Sequence, residues 1–210
     1  MYIAIEGAIG VGKTTLARLL KTTFNAELLL EVFEENPFLA NFYGDRKRYA
    51  FQTQIFFLLS RYHQQRSVSN SLKSKINLIA DYTFSKDALF ASINLEGDEL
   101  DTYYQVHEAL AERIPSPDLI VYLQASTDVL MQRIAFRDRS YERDMERDYI
   151  SELNKTYDTF FENNHNAPLV LSIGTNNLNY VSNPEDLKQV ENRIRQILEM
   201  PPFQKELPLN

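Results

Sequence analysis

The sequence predicts an α/β fold: five parallel strands in one sheet, covered by helices. Three observations predict it. Strand-like and helix-like segments alternate along the chain, the order that produces parallel strands joined by helical crossovers. The first apolar strand runs straight into a glycine-rich loop and then a helix. The length of 210 residues is enough to bury a proper core, and one domain is the simpler reading.

The first strand, Tyr2-Ile3-Ala4-Ile5-Glu6, spans 2–6, and Leu16-Ala17-Arg18-Leu19-Leu20 gives the helix at about 13–24 its amphipathic character. Further strands are expected at 27–31, 76–80, 119–123 and 168–173. Between and after them helices are expected at about 46–67, 86–93, 99–113, 127–136, 146–163 and 184–199. Ser126-Thr127-Asp128 supplies an N-cap after the fourth strand, and Asn183-Pro184-Glu185 starts the last helix with proline in its first turn. No internal repeat or low-complexity tract interrupts the pattern. A single domain is expected over 1–200, followed by a tail at 201–210 whose three prolines favour fraying.

Composition excludes several classes. The net charge of −7 and the lack of a dense Lys/Arg run argue against a nucleic-acid partner, so an anionic small ligand would be held by local positive groups. Without cysteine there are no disulfides, thiolate metal sites or cysteine catalysis. His63, His107 and His165 are far apart and show no metal-ligand spacing, so they are expected in the core or in solvent. The chain starts directly with a strand and has no apolar run of the ~18 residues that a membrane span needs. A cytoplasmic location without membrane contact is the expectation.

The loop Glu6-Gly7-Ala8-Ile9-Gly10-Val11-Gly12-Lys13-Thr14-Thr15 meets G-x-x-x-x-G-K-[ST] in full. Glycines let successive backbone N–H groups converge on a polyphosphate, and the helix starting near Lys13 adds its positive end. Lys13 is expected to reach the β/γ-phosphates and the Thr14 hydroxyl to bind Mg²⁺. A chance glycine turn would not explain the strand before the loop and the amphipathic helix after it. The Asp-x-x-Gly switch of common GTPases is absent, and Asn154-Lys155-Thr156-Tyr157 misses the Asn-Lys-x-Asp guanine reader by one residue. Motor and transporter ATPases tend to be longer and need partner domains. A small-molecule kinase fits the length, which gives a P-loop kinase fold with an arginine-rich lid.

Such a kinase needs a base, a metal-binding acid and a basic lid. Glu31, at the expected end of the second strand, is placed to orient a hydroxyl and accept its proton, whereas Glu34 and Glu35 read as solvated. Asp81 ends the third strand, the position of the acid that holds Mg²⁺ in P-loop enzymes. Arg133, Arg137 and Arg139 crowd the end of the helix after the fourth strand. Part of that cluster complements the helix dipole, but its density suggests a lid at about 137–146 whose guanidinium groups stabilise the charge in phosphoryl transfer.

At this point the chain resembles the deoxynucleoside kinases over nearly all of 1–200, most closely the bacterial deoxyguanosine and deoxyadenosine kinase branch. The resemblance rests on the glycine loop, Glu34-Glu35-Asn36-Pro37-Phe38-Leu39, Phe51-Gln52-Thr53-Gln54-Ile55-Phe56-Phe57-Leu58-Leu59-Ser60-Arg61, Ala80-Asp81-Tyr82 and the arginines. It implies ATP- and Mg²⁺-dependent transfer of the γ-phosphoryl group to the 5′-hydroxyl of a deoxynucleoside. It also implies that Glu31 is the base and that Tyr43 and Glu142 hold the sugar 3′-hydroxyl and crowd out a 2′-hydroxyl. Gln54 would read the nucleobase, with Gln52 as the neighbouring alternative, and Arg61 with Asp87 would read the base edge. One departure stands out: many members have an arginine after the acid of the third strand, bridging the base carboxylate and the reacting hydroxyl, where this chain has Tyr82. The deoxyguanosine kinase branch shares Asp-Tyr.

Two other readings compete: a nucleoside monophosphate kinase of the thymidylate kinase type, and a non-catalytic ATP-binding regulator. The first needs an arginine grip beside the second strand, where this chain has acids, and the joint presence of Glu31, Asp81 and the arginines opposes the second. A homodimer is expected through the helices near 46–67 and 99–113. Ile55-Phe56-Phe57-Leu58-Leu59 is apolar for five residues running, and Leu100, Tyr103, Tyr104, Val106 and Leu110 cover more than one helix face. The resembling family pairs subunits through corresponding helices.

Overall fold

The computed structural model describes residues 1–66, 68–163 and 168–201. Five strands form the sheet: β1 (Tyr2–Glu6), β2 (Ala26–Leu29), β3 (Asn77–Ala80), β4 (Leu119–Gln124) and β5 (Leu169–Gly174). Their order is β2-β3-β1-β4-β5 and every pairing is parallel. Around it lie α1 (Lys13–Thr23), α2 (Leu39–Gly44), α3 (Arg46–Gln65), α4 (Val68–Lys73), α5 (Lys86–Asn94), α6 (Gly97–Ala111), α7 (Thr127–Arg137), α8 (Arg147–Asn163) and α9 (Pro184–Ile197).

β1 is central and buried along its whole length. Ile3 and Ile5 face one hydrophobic cluster while Tyr2 and Ala4 face another, which is what a strand covered on both faces requires. Its neighbours are β3 and β4, so the chain leaves β1 to one side for β2 and β3 and later continues on the other side. At the carboxyl end of β1 this reversal opens the crevice in which such sheets bind ligands. Gly7 and Gly12 build the turn that occupies it. Both have positive φ, 141° and 106°; a Cβ on Gly7 would collide with the Leu123 carbonyl, and one on Gly12 with the Tyr180 hydroxyl.

The alternation of strands and helices is as expected, with corrections at the edges. β2 ends at Leu29, not at 31, because its ladder with β3 stops at Leu29 opposite Ala80. Beyond that pair the Asp81 side chain accepts the Glu31 N–H at 2.8 Å, so Glu31 leaves the sheet as a loop residue. The helix expected over 46–67 ends at Gln65, Arg66 closes it, and Ser67 lies outside the described residues. Helices α2 and α4 were not expected; each has six residues, too few to display a helical period. Both expected helix starts are present: the Ser126 hydroxyl accepts the Val129 N–H, and Asn183 caps α9 with Pro184 in its first turn. His63 is exposed and His107 half-buried, whereas His165 and the tail from Pro202 lie outside the described residues.

Candidate active site

The glycine loop presents Lys13 at the start of α1. Its ammonium donates to the Gly7 carbonyl at 2.7 Å and the Ala8 carbonyl at 3.1 Å, folding the side chain over the loop. Burial, reinforced by the nearby Lys86 ammonium, pushes the Lys13 ammonium down to about 8. The next residue, Thr14, donates its hydroxyl to one oxygen of Asp81, while the other oxygen takes the Glu31 N–H. Thus Asp81 ties the loop to the segment after β2. A hydroxyl and a carboxylate in contact beside a phosphate loop suit a hard divalent cation completed by water and phosphate oxygens. Among the described residues no group of three or more His, Asp or Glu forms a cage of its own.

Glu31 stands in the same cleft, its side chain 14% exposed. One oxygen accepts the Arg61 Nε at 2.9 Å and also contacts Arg61 Nη2; the other accepts the Lys86 ammonium at 2.7 Å. Burial alone would raise the Glu31 carboxyl, but the guanidinium of Arg61 and the ammonium of Lys86 more than offset it and hold the group well below the usual carboxylate range. Glu31 is therefore ionised at neutral pH. Arg61 in turn pairs with the fully buried Asp87, giving a chain of alternating charge: Lys86, Glu31, Arg61, Asp87.

Tyr43, Phe57, Phe33 and Leu39 supply the apolar part of the cleft, and Ile9 and Gly10 of the loop border it. From the far side come Arg137, Arg139, Tyr141 and Glu142. Arg137 forms two hydrogen bonds to the Glu142 carboxylate, of 2.6 and 2.5 Å, and Arg139 lies 4.1 Å above the Phe33 ring. Tyr43 and Tyr141 stack with centroids 6.5 Å apart.

The structure thus brings Lys13, Thr14, Glu31, Tyr43, Arg61, Asp81, Arg137, Arg139 and Glu142 to one cleft. Arg133 stands apart. Its guanidinium donates to the Val11 carbonyl at 3.2 Å, to the Thr175 hydroxyl at 3.0 Å and to the Thr175 carbonyl at 2.7 Å, and it lines a second hollow with Gly10, Val11, Gly12, Thr15 and the segment 176–181. Gln54 and Asp87 are buried and do not line the cleft; Gln52 is exposed, which separates the two glutamines. Glu34 and Glu35 are exposed in the short 3-10 turn Phe33–Glu35, as solvated acids should be.

Sequence reasoning missed Lys86 and Glu6. Lys86 opens α5, where the helix dipole disfavours a cation, and that misfit is a readable sign of an acidic partner. Glu6 is buried and accepts the Thr83 N–H at 2.5 Å, the Thr83 hydroxyl at 2.7 Å and the Tyr157 hydroxyl at 3.2 Å. It pins the segment that carries Asp81; as the last residue of an otherwise apolar strand it gave no sign of those partners.

The chain is similar to known proteins. The chain is 33% identical over 201 residues to a deoxyguanosine kinase of Bacillus subtilis, covering 94% of this chain and 97% of that protein. It is 34% identical over 194 residues to a deoxyadenosine kinase of Dictyostelium discoideum, covering 90% and 77% respectively. Among solved structures, a deoxyadenosine kinase from M. mycoides with the products dCMP and a flexible dCDP superimposes with a TM-score of 0.82 at 27% identity, over 93% of this chain and 100% of that one. Residues 3–199 match the deoxynucleoside kinase profile, and the chain belongs to that family.

Proposed function

We propose that this protein transfers the γ-phosphoryl group of ATP, with Mg²⁺, to the 5′-hydroxyl of a purine deoxynucleoside, giving the 5′-monophosphate for nucleotide salvage. The observation that carries the reading is the ionised Glu31 in one cleft with the phosphate loop on one side and Tyr43, Arg61 and Glu142 on the other. In this reading Glu31 accepts the hydroxyl proton as the 5′-oxygen bonds to the γ-phosphorus and the bond to the β,γ-bridging oxygen breaks. Lys13 moves from the Gly7 and Ala8 carbonyls onto the β/γ-phosphates, and the N–H groups of Gly7 to Thr15 cradle the polyphosphate. Thr14 and Asp81 would hold the Mg²⁺, which when bound neutralises phosphate charge. Arg137 and Arg139 serve as lid residues over the transferred group, and Tyr43 with Glu142 holds the sugar. Gln54 and the Arg61–Asp87 pair read the base, which requires Gln54, buried on the same helix as the cleft residues Phe57 and Arg61, to become accessible to it. Arg133, bonded to the loop carbonyl of Val11, is better suited to shaping the donor side than to touching the acceptor.

A purine is favoured by the named relatives, which act on deoxyguanosine and deoxyadenosine. The domain is taken as 1–200 with a lid at 137–146. A cytoplasmic homodimer completes the proposal; among the described residues no helix is long and apolar enough to cross a membrane. ADP release measured against a panel of deoxynucleosides, ribonucleosides and thymidylate tests it. Release is expected with a purine deoxynucleoside and not with its ribonucleoside; release with thymidylate alone would transfer the site to the monophosphate kinase reading, and none with any acceptor would leave the regulator.

A further inference from the structure

Around Glu31 the structure supplies a cation that the sequence pattern had left unaccounted for. Tyr82 directly follows Asp81, yet its hydroxyl donates to the Gln64 side chain at 2.7 Å and the residue is fully buried, so it brings no charge to the cleft. Lys86, four residues further on, is 4% exposed, lines the cleft and places its ammonium 2.7 Å from the Glu31 oxygen that Arg61 does not hold. Arg61 is shared with Asp87, whereas among the described residues the ion pair of Lys86 is with Glu31 alone. We propose that Lys86 is a positioning residue for phosphoryl transfer: it fixes the second oxygen of Glu31 and keeps a positive charge beside the reacting hydroxyl, the place left empty by Tyr82.

This inference rests on the kinase reading above and on Glu31 as its base. A lysine there has a chemical reason. The carboxylate must be anionic to accept a proton, and it must point at the hydroxyl instead of turning wholly toward Arg61; an ammonium on the opposite oxygen meets both needs. Every charged or titratable neighbour of Glu31 bears on its proton affinity. Arg61 faces it from α3, Lys86 from α5 and Lys13 from the loop end of α1, while Tyr82 after β3 and Tyr157 of α8 lie within electrostatic reach. Asp81 engages its backbone N–H, and Asp87 acts through Arg61. Removing Lys86 leaves the carboxylate easier to protonate and its second oxygen without a cation.

Steady-state kinetics of the full chain with ATP and its best deoxynucleoside at neutral pH test the proposal in wild type, Lys86→Met and Lys86→Arg. Lys86→Met should lower kcat by about 10²-fold, the scale of losing one preorganised charge, with a much smaller change in KM for ATP. Lys86→Arg should recover kcat to within tenfold of wild type. A merely structural lysine would lower the thermal midpoint of Lys86→Met and leave the kcat of the folded enzyme near wild type. Lys86→Met with kcat within threefold of wild type would overturn the proposal, as would Lys86→Arg with a kcat as low as that of Lys86→Met. Where Lys86→Met does not fold, Lys86→Gln, which keeps a hydrogen-bond donor without the charge, is read against the same limits. Wild-type protein that transfers no phosphoryl group to any nucleoside overturns the kinase reading itself, a result separable from all of these.

Discussion

Glu31 illustrates how one residue is shaped by several elements at once: its backbone N–H is held by Asp81, one oxygen by Arg61 of α3 and the other by Lys86 of α5. Its candidacy was legible from its place after the second strand, although that strand proved two residues shorter than expected. The two glutamines of α3 were not separable by spacing. Burial separates them, since Gln54 is 2% exposed and Gln52 lies in solvent. If Gln54 reads the base, leaving its partner unpaired costs about 1–3 kcal/mol. Gln54→Ala is then expected to raise KM chiefly for the best purine, while Tyr43→Phe weakens rejection of the matching ribonucleoside. Equal KM increases for every base, including the poorest, would make Gln54 a structural residue. Lys86 carried a sign in its misfit with the positive end of α5, but which acid it meets is decided only when the fold brings Glu31 in front of it. Arg133 was grouped with Arg137 and Arg139 by proximity, but one helical turn of distance sends it to Val11 and Thr175 instead.

At the scale of elements, the segment after α7 and the turn after β2 meet over the cleft. Arg139 sits 4.1 Å above Phe33, and Phe33 and Tyr141 have ring centroids 6.0 Å apart. Arg137 and Glu142 hold the segment's own shape through two short hydrogen bonds. A cation–π contact of this kind contributes about 0.5–1 kcal/mol at a partly exposed site, more when desolvated. If closure of this segment excludes water from the transfer, Phe33→Ala should raise KM for the nucleoside by roughly two- to five-fold, the equivalent of that energy. The ADP released without any acceptor should rise as a share of turnover. Unchanged values of both would show that the segment does not act as a lid. The glycine loop was the most legible element because its φ angles and close approaches permit almost no other residue: at Gly7 a Cβ has nowhere to go beneath the Leu123 carbonyl. The short α2 and α4 were illegible because one and a half turns leave no periodic signature.

For the whole molecule, the sheet order places the loop at the reversal beside β1; the alternating pattern made the parallel sheet legible in the sequence but not the order of its strands, which only the long-range pairings of the fold decide. Assembly asks a different question. In the single chain α6 buries only Tyr103, while Leu100, Tyr104, Val106 and Leu110 are half covered; on α3, Leu59 is 43% exposed. These residues fit the expected two-fold interface, which at obligate size would bury more than about 2,000 Å². Light scattering behind gel filtration should give twice the 24.5 kDa chain mass at micromolar protein; a single-chain mass would rule the dimer out. The central claim, an ATP-dependent transfer with Glu31 as the base, is tested most directly by following the labelled γ-phosphoryl group of ATP onto deoxyguanosine or deoxyadenosine in wild type and Glu31→Gln. The account predicts a 5′-monophosphate from wild type and a kcat lower by about 10²- to 10⁴-fold in the variant, with ATP affinity nearly intact. Near-wild-type turnover by Glu31→Gln, or label that never reaches the 5′-oxygen, would contradict it.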